Sequence, residues 1–177
     1  MATLAASFYR DANRVPITTD GVITSTTQSL IVNNTTGSNT IFTIAGSVEI
    51  RGLWGVVTTV LSSNITAAFW RLNDATNTPA VTLATGTTLS SAAVGSVITK
   101  SGLAAAALTF INSSQSRVTE PTTLETTYFS PFIATALPGV TTNLEFRYTT
   151  TNTPATGAIQ FFVRWLPLSA DANVTPL

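Results

Sequence analysis

About a fifth of this chain is threonine, distributed through all of its 177 residues. Threonine carries two heavy atoms on Cβ. That branching restricts its χ1 in a helix and packs well on a pleated surface. A chain this rich in threonine supplies the material of exposed β-sheet. Valine, isoleucine and aromatic residues fill its apolar runs, and Gly, Pro and Asn fill the gaps between them.

The runs predict strands at Val22–Thr26, Ser29–Asn33, Thr40–Ala45, Ser47–Leu61, Ile65–Asn73, Ala80–Ala84, Ser96–Lys100, Leu103–Asn112, Tyr128–Ala134, Asn143–Thr150 and Ala158–Leu166. Turn clusters separate them: Asn33–Gly37, Asn73–Asn77, Pro138-Gly139 and Thr151–Pro154. Two runs alternate cleanly. Leu144, Phe146 and Tyr148 oppose Glu145, Arg147 and Thr149, and Ile159, Phe161, Val163 and Trp165 oppose Gln160, Phe162, Arg164 and Leu166. One face of each strand is therefore core. Phe162 and Leu166 make the second face of the last run more apolar than water requires, which marks Phe162, Arg164 and Leu166 as an expected oligomer interface. Ser47–Leu61 is long for one strand, and Gly52 and Gly55 suggest a bulge or bend within it. Leu103–Leu108 has helical propensity through its alanines, but its context favours strand.

The expected fold is all-β, a single β-sandwich of jelly-roll character over residues 21–177, with no internal repeat. Residues 1–20 read as an extended arm. They hold Arg10, Asp11, Arg14 and Asp20, after which the next charge is Glu49. Pro16 drives Val15 toward an extended conformation.

Charged residues make up 9% of the chain, and the formal net charge is zero. Average globular chains carry about 25%. With no basic excess, neither nucleic acid nor an anionic membrane surface is expected as a partner. A surface of Thr, Ser and Asn presses on another protein without the cost of burying ions, so an oligomer or assembly component is expected. The start, MATLAASFYRDANR, lacks the basic and apolar regions of a signal peptide, and the apolar stretch Leu103–Ile111 is too short to span a bilayer. Synthesis in the cytoplasm is the expectation. Absent cysteine leaves the redox compartment open.

There is no histidine and no cysteine, and the one lysine is Lys100. A Ser-His-Asp triad is therefore impossible, and the usual near-neutral acid–base group is missing. Glu120 and Glu125 are the nearest thing to a glycosidase pair, and they sit in an expected loop where solvated charge is the ordinary role. Glu49 and Arg51, like Glu145 and Arg147, are opposite charges two apart on a strand, expected to pair across to other strands or subunits. Trp54, Trp70 and Trp165 are candidates for a sugar-stacking platform, although core or interface packing is commoner. Asn33, Asn34, Asn64, Asn112 and Asn173 head N-x-Ser/Thr sequons, at a frequency that abundant threonine explains. No cofactor, metal or enzymatic activity is expected.

The arm reads FYRDANRVPITTDGV from Phe8 to Val22 and resembles an RD-x-NRVP segment near the start of structural proteins of tailed bacteriophages. The closing AIQFFVRWLPL and tail SADANVTPL, together with VEIRGLWGVVTT (Val48–Thr59), resemble small β-sandwich virion proteins that decorate or cement capsids. The resemblance implies a capsid-surface subunit that contacts the major capsid protein, homotrimeric by analogy with local threefold axes, and present in host cytoplasm during assembly. On that basis Phe8, Tyr9, Arg10, Asp11, Asn13, Arg14 and Pro16 are expected to contact the capsid or a neighbouring copy. The alternatives are a tail or head fibre component binding a host-surface glycan, and a carbohydrate-binding module or polysaccharide-cleaving enzyme outside any virus.

Overall fold

The computed structural model describes residues 21–30, 36–74, 80–100, 102, 105–111, 130–136, 140–151 and 154–177. The arm and its proposed contact residues Phe8 to Pro16 lie outside them. So do Glu120 and Glu125, the sequon residues Asn33, Asn34 and Asn112, and the outer parts of three expected strands, at 31–33, at 103–104 and 112, and at 128–129.

The described residues form strands and no helix: β1 (Val22–Ser29), β2 (Thr36–Ala45), β3 (Ser47–Thr59), β4 (Ile65–Asp74), β5 (Val81–Thr82), β6 (Val97–Thr99), β7 (Thr109–Ile111), β8 (Phe132–Thr135), β9 (Thr142–Thr150), β10 (Ala158–Pro167) and β11 (Asn173–Pro176). They build two sheets. One runs β1-β10-β3-β6-β7, with β8 also pairing β3; the other runs β11-β2-β9-β4-β5. All of these pairings are antiparallel, and a subset of them nests: β1 with β10, β2 with β9, β3 with β6 and β8, β4 with β5. A long hairpin rolled across two layers gives this order, so the expected sandwich is present with the jelly-roll arrangement of pairs.

Several boundaries differ from the sequence expectation, β2 among them, since it begins at Thr36 inside the expected turn Asn33–Gly37. Ala105–Leu108 forms a turn and one isolated bridge, Ala107 to Thr85, and only Thr109–Ile111 is strand. Alanine offers neither the branching nor the bulk that a pleated surface holds. Threonine stitches this region instead: Thr85 Oγ1 donates to Ala105 O at 2.7 Å and Thr87 Oγ1 to Leu108 O at 3.0 Å. The tail SADANVTPL contains β11, which pairs Phe42–Ala45 of β2 and buries Val174. Of the expected strand Ser29–Asn33 the described residues include Ser29, which ends β1, and Leu30, which is buried but outside any strand.

The core lies between the sheets. Trp70 of β4 is fully buried at its centre, edge-on to Phe146 of β9 and Phe161 of β10 at 5.1 and 5.2 Å. Such edge-to-face pairs contribute about 0.5–1.5 kcal/mol beyond burial. Leu144 and Tyr148 of β9, and Ile159 and Val163 of β10, fill the same layer, as their alternation predicts. Trp165 is buried too, its indole N–H donating to Thr24 Oγ1 at 3.0 Å. Burial holds the Tyr148 phenol un-ionised up to about 12, and its hydroxyl donates to Asn39 Oδ1 at 3.1 Å.

Gly55 faces inward against Ile159 and Phe161. A Cβ there would stand 2.8 Å from Ile159 Cγ2 and 3.2 Å from Phe161 Cδ1. Gly55→Ala is expected to destabilise the fold by about 1–3 kcal/mol through overpacking, read from urea midpoints. A second expectation follows from Tyr148. The folded state keeps a proton that the unfolded chain releases above its ordinary pKa of 10.0, so stability falls from pH 10 toward about 12. Thermal midpoints of the native chain and Tyr148→Phe across that range measure it, and the variant should lose this part of the decline.

Candidate functional site: the outer face of the six-stranded sheet

A register change within β3 creates this face. Along β10, Arg164 opposes Gly52 while Trp165 opposes Ile50, so Arg51 is an extra residue on β3. The sequence places a bulge at Gly52 or Gly55; the extra residue is Arg51, beside Gly52, and Gly55 pairs regularly with Phe161. A bulge shifts side-chain parity by one. Val48 and Ile50 point inward before it, and Leu53, Gly55 and Val57 point inward after it. Trp54 and Val56 are thereby turned outward.

Outward residues then line up in rows across the strands. Phe162 stands opposite Ser25 on one side and Trp54 on the other, and Trp54 is opposite Thr99. Gln160 lies between Thr27 and Val56, and Arg164 between Ile23 and Gly52. Leu166 faces Glu49, which faces Ile133 of β8. The Trp54 and Phe162 rings stack with centroids 5.3 Å apart and 5° between their planes. Ile23 is 52% exposed and Ile133 is 67% exposed, at opposite ends of the patch.

The three residues expected at an interface therefore share this face. Phe162 and Leu166 are half-buried and Arg164 is exposed. Of the three tryptophans only Trp54 joins them. Trp70 and Trp165 point into the core, so the structure does not form a three-tryptophan sugar platform. Glu49 and Arg51 were expected to pair with other strands, but Arg51 Nε donates to Glu49 Oε2 at 3.0 Å along β3 itself. Residues two apart on a strand share a face, so Arg51 reaches Glu49 without leaving β3.

The outer face of the five-stranded sheet is polar by contrast. Glu145 of β9 lies directly opposite Arg71 of β4 and forms an ion pair with it, a cross-strand pairing as expected. Asn73 Nδ2 donates to Glu145 Oε1 and Ser38 Oγ to Oε2, both at 2.8 Å. Burial by itself raises the Glu145 pKa, but the bonds from Asn73, Ser38 and Arg71 and the Arg71 charge outweigh it and lower the net value. Both oxygens of this carboxylate accept hydrogen bonds, which makes it a staple of the sheet. Among the described residues no three Asp or Glu gather to hold a metal. Lys100 is buried and donates Nζ to Gly102 O at 2.7 Å. Asn64 is buried against Ser62 and Pro154, whereas Asn173 is exposed on β11.

Because the folded Glu145 holds its charge below the ordinary carboxylate value of 4.5, its contribution is complete above pH 4.5 and disappears as pH falls through the lower folded value. Glu145→Gln is expected to cost about 1–3 kcal/mol at pH 7, leaving Arg71 with a weaker acceptor. The cost should shrink on acidification, as measured by thermal midpoints from pH 7 to pH 3. The chain matches no protein-family model, no curated protein and no solved structure.

Proposed function

We propose that this chain is a structural, non-enzymatic virion protein that decorates or cements a bacteriophage capsid through surface contacts. The observation that carries the reading is the outer face of the six-stranded sheet. It presents aromatic and aliphatic rows, with Ile23, Trp54, Phe162, Leu166 and Ile133 outward and few charges among them. Interfaces concentrate their energy in aromatic and arginine anchors, and Phe162, Trp54 and Arg164 offer that set. A two-layer sandwich holds the face rigid, so little order is lost on docking. Many copies on one shell multiply weak contacts by avidity.

In this reading the partner is the major capsid protein and the place of action is the capsid surface. The arm supplies the second contact. Phe8, Tyr9, Arg10, Asp11, Asn13 and Arg14 carry groups suited to a partner pocket and to directional bonds, and Pro16 stiffens the exit toward Gly21.

A second reading, a tail or head fibre component binding a host-surface glycan, draws on the same Trp54–Phe162 pair, because sugar rings pack on aromatic faces. The two readings separate by experiment. Phe162→Ser combined with Leu166→Ser should keep the far-ultraviolet circular dichroism of the native chain and bind empty capsids at least tenfold more weakly in co-sedimentation. Deleting residues 1–16 should weaken binding further without moving the thermal midpoint of the body. Capsid binding that ignores both changes rejects the decoration role. Saturable quenching of Trp54 fluorescence by host polysaccharide would favour the fibre role.

A further inference from the structure

Sheet edges differ sharply in this fold. A strand at an edge presents a row of unpaired N–H and C=O groups, and proteins ordinarily blunt such rows with short strands, charges, prolines or bulges. Four of the strands that end a sheet are blunted here. β5 has two residues, β7 three, β8 four, and β11 four including Pro176. β1 is the exception. It is eight residues long, pairs with β10 without a register shift, and has neither a charge nor a proline in VITSTTQS. Among the described residues no strand pairs with its other edge.

We propose that this edge of β1 pairs with β1 of a second copy of the chain, antiparallel across a twofold axis, so that two six-stranded sheets become one. Three features favour a second copy over an unrelated strand. The segment is uncharged, so setting it against itself brings no like charges together. Its residues alternate regularly between half-buried and exposed, so an antiparallel copy can set Ile23, Ser25, Thr27 and Ser29 opposite outward residues of the partner. In the register that sets Ile23 opposite Thr27, Ile23, half exposed, gains a β-branched neighbour across the join. A twofold contact of this kind is self-complementary and closes, so it adds copies without forming a fibre. It also joins the two outer faces into one continuous surface carrying two Trp54–Phe162 pairs. The inference does not rest on the capsid reading, and it specifies a twofold contact where the resemblance implied a threefold.

The chain lacks cysteine, which makes the test direct. Full-length Ile23→Cys, Ser25→Cys, Thr27→Cys and Ser29→Cys would be oxidised singly and in pairwise mixtures. An antiparallel register links only those combinations whose residue numbers share one sum, and such a pattern is the expected result. Light scattering on the native chain at high micromolar concentration should give twice the 18.5 kDa chain mass. Ser25→Lys with Thr27→Lys, both on exposed positions, should return the mass to one chain, and mixing with the corresponding Glu variant should restore the pair. A native monomer overturns the proposal, because the edge is then left free or covered by the chain's own residues. So does a dimer that survives the lysine variant, or cross-links that follow no single sum.

Discussion

One inserted residue decides what each side of the larger sheet can be. With strict alternation through β3, Trp54 and Val56 would follow Val48 and Ile50 into the core, and Leu53 and Val57 would face water. The extra residue at Arg51 reverses the sense halfway along. The core then receives Leu53, a glycine and Val57, and the glycine leaves the room that Phe161 and Ile159 occupy beneath Trp70. The outside receives the indole that stacks on Phe162. Core packing and surface chemistry thus trace to the same local distortion, which illustrates why bulges behave as specified features of a strand pair.

Charge is used sparingly and in two different ways. On the five-stranded sheet, Glu145 and Arg71 satisfy each other with help from Ser38 and Asn73 and hold β2, β9 and β4 in register. On the six-stranded sheet, Glu49 and Arg51 pair at the margin of the bulge, and Arg164 extends from an apolar row. The first arrangement consumes its polar groups internally. The second leaves a weakly charged surface whose contacts must come from shape and apolar area, consistent with broad protein association.

Much of this was legible in the sequence, where period-two alternation is strong. β9 and β10 begin and end within a residue of the expected runs, and their inward residues are those the alternation selects. The jelly-roll character followed from many short strands with turn signals, although the pairing order did not. Gly52 marks the bulge, as glycine commonly does, and the inserted residue beside it is an arginine whose long side chain stays at the surface. The fate of Trp70 was not readable, since β4 carries an aromatic residue on each face, with Phe69 beside it. The Glu145–Arg71 pair required knowing that β9 lies next to β4. β11 was missed because four residues containing Asn and Pro give little strand signal, and Val174 supplies one buried anchor.

The nested order of pairs also constrains how the chain can find its fold. Val81 joins Leu72 across a short stretch of chain, while Ala158 joins Ser29 across most of the molecule. Closing the longer loop directly costs roughly 2 kcal/mol more in chain entropy, because the cost grows as the logarithm of loop length. Once β4 meets β5 and β9, and β3 and β2 find their partners, the ends of β1 and β10 are already close. Assembly from the inside outward therefore avoids most of that penalty.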